Sequence, residues 1–455
     1  MNNAEGLATA VQKQISPARH ALKKVSLFPF IFVMYSYNTA GPFGLEDQVR
    51  TSGPGMSLIY QLVIPFFWCI PISLVAAELT SAMPVEGGFY RWTRAAFGDF
   101  WGFLAGWWNW CASFLLGGAY SVLFADYVSS YFPNLTPAQH YVIALSAVAL
   151  IAYLNIRGIR LVGNIATVLE LSILAVIAIM CVISVRMWHL NPFVPLIPPH
   201  KPVFQVFGVG FALGLWLYAG YEQMSSVAEE VENPQRNYPK ALAWVVPLSM
   251  ATYFLPTFCS LAALGNWEKW HDGYFAEAAS LIGGPWLGLA MTLAGTAMSL
   301  SILNAMVLST TRMPFAMAED GYLSSALART HQKFGTPWLA ILLSAVIYYL
   351  VAAHTLSQLI SVYIWLRIAT SVMTVLSGWR LRRKRPDLQR SFRIPWGKAG
   401  LTYAVIAPLL MSGIAMIASD KFALKWGPVA LLLGPAAYFV FGRRTKTQLI
   451  QSSTL

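Results

Sequence analysis

Long apolar stretches separated by short polar segments dominate this chain. A membrane-spanning helix needs about 20 consecutive apolar residues. Roughly twelve such stretches can be counted, beginning near Leu27, Leu58, Trp101, Tyr141, Leu161, Phe204, Ala241, Trp286, Trp338, Leu356, Leu401 and Gly427. The pattern therefore predicts an all-α membrane protein of twelve transmembrane helices. Two of the stretches are interrupted. The first, LFPFIFVMYSYNTAGPFGLEDQ (27–48), breaks at Ala40-Gly41-Pro42-Phe43-Gly44, where two glycines flank a proline that lacks an N–H. The sixth breaks at Ala219-Gly220-Tyr221-Glu222, with Ser225 and Ser226 after it. Interrupted backbone at membrane depth is tolerated only where it is buried in protein or lines a wet cavity. The two breaks lie five stretches apart, in corresponding places of two consecutive five-helix units. That is the sequence mark of a transporter site built on an inverted repeat.

Charge refines this picture. Of the 455 residues 57% are hydrophobic and only 11% charged, yet the net charge is +12. The cations fall in alternate loops: Lys23 and Lys24, Arg91 and Arg94, Arg157 and Arg160, Arg236 and Lys240, Arg329 and Lys333, the run Arg380 to Arg385, and Arg443, Arg444 and Lys446. The positive-inside bias puts both termini in the cytoplasm of a multi-pass cell-membrane protein. Cations that ring one face form no single patch, so nucleic acid is not an expected partner. Residues 1–22 are polar, and no cleavable signal peptide is expected. The four cysteines (Cys69, Cys111, Cys181, Cys259) fall inside apolar stretches and read as small buried hydrophobes.

Three ionisable residues stand out at membrane depth, where each is costly and calls for a partner. Glu170 lies in the fifth stretch, Glu222 follows the second break, and Arg367 lies in the tenth. Arg367 is expected to pair with Glu170 or with Glu222; the sequence does not choose. Both carboxylates are candidates for proton coupling or gating. Glu46 and Asp47 follow the first break. They either complement the helix dipole and pair with Arg50, or bind a substrate amine. Trp107, Trp108 and Trp110 either line a cavity or pack. The seven histidines are scattered, and neither HExxH, CxxC nor a Walker loop occurs. No enzyme, ATP-driven pump, metal site or cofactor is expected.

Four motifs then carry a resemblance: AGPFGLED at 40–47, AELTSAMPVEGGFYRWTRAAFG at 77–98, GYEQMSSVAEEVENPQRNYPKAL at 220–242, and AMAEDGYL…FGTP at 316–337. With them, nearly the whole chain resembles the amino acid–polyamine–organocation superfamily. WHDGYFAEAASLIGG (270–284) and RPDLQRSFRIPWGKAG (385–400) look most like its polyamine-uptake branch. The resemblance implies the leucine-transporter fold, two inverted five-helix repeats plus two extra helices. It would divide the chain into a cytoplasmic tail (1–22), a first repeat (23–190), a second repeat (200–382), helices 11 and 12 (400–443) and a C-terminal tail (444–455). It implies a secondary transporter of amino acids or polyamines working by alternating access and coupled to protons, the alternatives being an exchanger of the same fold or a channel. The substrate site would lie at the two breaks, lined by Ala40 to Gly44, Ala219 to Glu222 and Trp110. Two departures pull apart. Thr39 and Pro42 weaken a carboxylate cradle and favour an amine, whereas Arg367 would repel a polycation. The reading leans to an amino acid or an amine derived from one.

Overall fold

Inside a bilayer every backbone N–H and C=O must find its partner within the protein, so apolar stretches become helices. In the computed structural model, residues 24–452 are described, apart from 40, 130, 133, 200–202, 272, 352–355 and 420. Ala40 and the tail expected at 1–22 thus lie outside the described residues. The helices, in order, are α1 (Leu27–Asn38), α2 (Leu45–Ser52), α3 (Pro54–Ala82), α4 (Gly88–Phe97), α5 (Asp99–Ser129), α6 (Pro137–Arg157), α7 (Ile159–Ser184), α8 (Val203–Leu217), α9 (Pro234–Leu264), α10 (Tyr274–Gly283), α11 (Pro285–Glu319), α12 (Trp338–Val351), α13 (Leu356–Lys384), α14 (Gly397–Ile417) and α15 (Lys421–Ser452). Among the described residues nine of these are long and apolar enough to cross a membrane: α3, α5, α6, α7, α9, α11, α13, α14 and α15. The chain is a multi-pass membrane protein. No β-strand forms among the described residues, only an isolated parallel bridge between Val25 and Val231.

The other expected stretches are shorter for visible reasons. The first is split into α1 and α2 by a turn at Gly41–Gly44. The sixth ends as α8 at Leu217 and resumes as a 3₁₀ segment, Gln223–Glu230. The ninth, α12, is an apolar helix of 14 residues. Within α3, Pro65 withholds an N–H, and the chain passes through a π turn at Pro65–Cys69. The 31-residue α5 and 35-residue α11 form the centre. They pack on each other; α13 lies against α5, and α7 against α11. Helix α1 sits among α7, α9 and α11, while α2 packs against α8. Helices α14 and α15 rest on α13 and on the flanks of α3 and α5. Helix α15 runs on to Ser452, past the expected start of the tail at 444.

The end of the molecule that carries the basic loops is sealed by polar contacts. Val25 N–H donates to Glu230 O, and Glu232 N–H to Val25 O, each at 2.9 Å, tying the entry of α1 to the segment after α8. Gly87 N–H donates to Ser226 O at 3.0 Å. Arg91 meets Glu319 at 2.9 Å, and Arg94 meets Asp320 at 3.1 Å and Asp99 at 2.7 Å. Beneath these contacts Arg312 of α11 grips Glu230 with two hydrogen bonds, Nε to Oε1 at 2.8 Å and Nη2 to Oε2 at 3.3 Å. Both side chains are fully buried. Removing one member of such a pair strands the other charge, at a cost of about 3–5 kcal/mol. Arg312→Met should therefore lower the unfolding temperature of the purified protein steeply, and Arg312→Met with Glu230→Leu should recover most of the loss. A single variant as stable as the parent would show that the pair is not structural.

Candidate functional site

Where α1 stops at Asn38 and α8 stops at Leu217, their last carbonyls lose their intrahelical partners. Tyr253 of α9 answers for both ends. Its hydroxyl lies 3.2 Å from Asn38 O and 3.0 Å from Leu217 O. The breaks also touch directly. Gly220 has φ +122°, and a Cβ there would stand 2.8 Å from the Tyr37 ring and 2.9 Å from Asn38 Oδ1. Conformation and space both demand glycine at this point. The Asn38 amide donates to Met34 O at 2.7 Å, while its buried Oδ1 has no hydrogen-bond partner among the described residues. Thr39 ends α1 with its hydroxyl bonded to Ser249 of α9.

Just below the breaks lies a buried charged cluster. Arg367 Nη2 of α13 meets Glu222 Oε1 at 2.7 Å, with 2% and 0% of the two side chains exposed. Of the two carboxylates expected to compete for Arg367, it is Glu222 that the fold brings there. Ser371 Oγ donates to the same Oε1 at 2.6 Å, and Arg367 Nη1 donates to Asn109 Oδ1 of α5 at 3.2 Å. Gln223 completes the cluster, with its amide nitrogen 2.8 Å from Asn109 Oδ1 and its oxygen turned to the guanidinium. Charge-assisted bonds of this kind are about twice as strong as neutral ones, and offset part of the desolvation of both ions. The pair is neutral as a unit, so Arg367 no longer speaks against a cationic ligand.

Glu170 takes a different place. From α7 its carboxyl faces Ser36 of α1 and Ser301 of α11, whose hydroxyls bond each other at 2.7 Å, and its buried Oε1 has no hydrogen-bond partner among the described residues. It is 1% exposed, and among the described residues no Lys or Arg lies in ion-pair range.

Two cavities meet at the breaks. A small one, of about 20 Å³, is bounded by Tyr37, Asn38, Leu116, Tyr120, Trp216, Leu217, Ala219, Tyr253 and Tyr363. It has room for about one water molecule. Leu116, Tyr120 and Trp216 also line a second cavity of about 600 Å³, which extends to Asp126, Tyr127 and Tyr131 at the far end of α5, away from the basic loops. Phe43, Gly44, Glu46 and Asp47 line this larger space. Gly44 caps α2 with φ 90°, and its N–H donates to Glu46 Oε2 at 2.7 Å. The positive helix end expected to attract an anion is thus occupied by the chain's own carboxylate. Asp47 pairs with Arg50 one turn on, and Asp126 lies 2.8 Å from His140.

The sequence-predicted residues sort accordingly. Gly41 and Pro42 form the turn between α1 and α2, and Phe43 and Gly44 face the large cavity. Ala219 borders the small one, Gly220 makes the cross-break contact, and Glu222 belongs to the charged cluster. Tyr221 is 1% exposed and lines neither cavity; its carbonyl accepts from Tyr238. Trp110 also lies off both, packed on Trp107 and Phe114 with its indole N–H on Ser344. Not anticipated from the sequence are Asn38, Asn109, Asp126, Tyr253 and Ser371. The one available signal was a lone polar residue inside apolar sequence, and many such residues merely pack.

Arg367→Leu should leave Glu222 buried without its cation, a loss of about 3–5 kcal/mol seen as reduced thermal stability, and adding Glu222→Gln should restore part of it. A double-mutant cycle with no coupling energy would contradict the pairing. Tyr253→Phe keeps the ring and removes the donor shared by both breaks. About 1–3 kcal/mol of stability should go with it, and a variant equal to the parent would show that water serves the two carbonyls as well.

With this geometry in place, comparison with known proteins is informative. Residues 25–437 match the profile of the amino acid permease family. Polyamine transporter RMV1 of Arabidopsis thaliana is 31% identical over 427 residues, covering 92% of this chain and 86% of its own. Polyamine transporter PUT1 of Oryza sativa subsp. japonica is 32% identical over 448 residues, covering 94% and 81%. The structure is also similar in fold to MhsT, crystallised in complex with L-phenylalanine, with a TM-score of 0.62 and 16% identity over 86% of this chain and 98% of that one. The chain belongs to the amino acid permease family and is a multi-pass membrane transporter.

Proposed function

We propose that this transporter is a secondary active carrier of organic amines of the polyamine class, working by alternating access and coupled to protons. The observation that carries the amine reading is Glu46. By taking the Gly44 amide at the head of α2, it places the chain's own negative charge where a substrate carboxylate would have to bind. The same 600 Å³ cavity is edged by Asp47 and Asp126 and walled by Phe43, Tyr120, Tyr127, Tyr131 and Trp216. Carboxylates and ring faces are the surfaces that hold ammonium groups. Neutralisation of Arg367 by Glu222 points the same way, as do the relatives named for polyamine transport.

Alternating access is supported by the asymmetry of the two ends, one sealed by ion pairs and the other reached by the cavity. The two matched breaks support an inverted repeat, 23–190 and 200–382, within twelve spans, with 400–443 as the extra pair. The alternation of basic loops supports cytoplasmic termini in the cell membrane. Of the two intramembrane carboxylates, Glu222 is held by a cation, whereas Glu170 has only hydroxyl partners between α1, α7 and α11. Glu170 is therefore the proton carrier in this reading, and Glu222 holds the cluster beneath the substrate.

Calorimetry on the purified protein should find that a diamine such as putrescine binds, and that the amino acid it derives from by loss of a carboxylate binds at least about tenfold weaker, since an unpartnered carboxylate costs more than 1.4 kcal/mol to desolvate. Equal or reversed affinities would reject the amine reading. In proteoliposomes an imposed proton gradient should accelerate amine uptake. Glu170→Gln should abolish that acceleration while leaving amine binding and amine–amine exchange intact. Sodium-dependent uptake indifferent to the proton gradient would reject proton coupling, and parent-like pH dependence in Glu170→Gln would move the proton to another group.

A further inference from the structure

The segment joining α13 to α14 carries charge that the transport site does not use. From Arg380 to Lys398 the chain holds eight cations and one carboxylate, Asp387. A single buried acid folds this segment back. Glu78, near the end of α3 and 3% exposed, accepts from Arg382 Nε at 2.9 Å, Arg382 Nη2 at 2.6 Å and the Ile394 N–H at 2.8 Å, and lies 3.2 Å from Arg390 Nε. Arg382 Nη1 also donates to Gly397 O at 3.3 Å. Ser81 holds Phe392 through backbone bonds of 3.1 and 3.2 Å. Arg385 is taken up by Asp387, whose carboxyl the hydrogen bond holds below its usual range.

The immediate neighbours of these anchored positions stay outside the clamp, Arg383 lying over the Trp379 ring at 4.3 Å. Arg383 and Lys384 follow Arg382, Arg393 precedes Ile394, and Lys398 follows Gly397; all four are exposed, with no carboxylate partner among the described residues. The clamp on Arg382, Ile394 and Gly397 brings the four to one end of α13 and α14. Trp396 stands in the same place, 75% exposed and at φ 62°, a backbone conformation an L-residue adopts only when its surroundings impose it. Next to it begins α14, whose outer face carries the exposed Ile406, Leu410, Ile414 and Ile417.

We propose that this loop binds the phosphate-bearing headgroups of anionic membrane lipids. Unpaired cations at the mouth of two membrane helices face the headgroup layer, which attracts them electrostatically. An indole fully exposed to water is unfavourable, but at headgroup depth both its ring and its N–H are served. The loop is preorganised through Glu78, so headgroup binding need not order it. Nucleic acid or a soluble polyanion would satisfy the cations but not Trp396. Helix α13 runs from this loop to Arg367, so a bound headgroup holds in place the helix that carries the site's cation.

The test uses the full-length protein in mixed micelles. Phosphatidylglycerol should raise its unfolding temperature more than phosphatidylcholine does, and high salt should reduce the difference. Replacing Arg383, Lys384, Arg393 and Lys398 together by Gln, with Glu78, Arg382 and Arg390 intact, should weaken phosphatidylglycerol by about two orders of magnitude or more, since each of the four cations contributes roughly fivefold. Equal stabilisation by the two lipids, parent-like lipid binding in the fourfold variant, or an inorganic polyphosphate binding as tightly as the lipid would each overturn the proposal. A second readout does not depend on that variant folding. Brominated phosphatidylglycerol should quench an emission component that Trp396→Phe removes, and brominated phosphatidylcholine should quench it less; equal quenching by both would also overturn it.

Discussion

A helix interrupted inside a membrane must have its freed carbonyls and amides answered by the protein itself, and the centre of this transporter is arranged around that requirement. Tyr253 serves the last carbonyls of α1 and α8 together, Gly220 lets the two breaks touch, and Thr39 leans on Ser249 of α9. Helix α9 thereby becomes the strut against which both broken elements are held. Asn38, whose Oδ1 has no hydrogen-bond partner among the described residues, borders the cavity where the breaks meet.

Buried charge is distributed with equal economy. Three carboxylates inside the helices hold guanidinium groups: Glu222 with Arg367 beneath the breaks, Glu230 with Arg312 under the sealed end, and Glu78 with Arg382 and Arg390 at the α13–α14 loop. Each pair joins segments distant in sequence and leaves little net field in the interior. Glu170 differs from these three, facing the hydroxyls of Ser36 and Ser301 with no Lys or Arg in ion-pair range among the described residues. Above the breaks the carboxylates of Glu46, Asp47 and Asp126 edge an aromatic cavity.

Much of this was legible in the chain alone, because membrane helices are a local property. About 20 apolar residues leave the backbone one solution, so the helical class and nearly all of the stretches followed from composition. The breaks at Gly41–Gly44 and after Leu217 were equally local, since glycine and proline interrupt a helix wherever they stand. Cost arguments marked Glu170, Glu222 and Arg367 as residues that need partners. Which partner each would find was another matter. Glu222 and Arg367 are 145 positions apart, and only the packing of α13 against the second break excludes Glu170 as the counter-ion. The same holds for Tyr253, Asn109 and Ser371, ordinary polar residues in apolar sequence until three helices converge on them. It holds also for Glu46, where spacing allowed a dipole partner or a ligand group and the fold adds a bond to the Gly44 amide at the edge of the large cavity. Periodicity and composition determine which segments cross a membrane and which residues cannot remain alone there. Distances between helices, which no local pattern encodes, decide how those residues are satisfied.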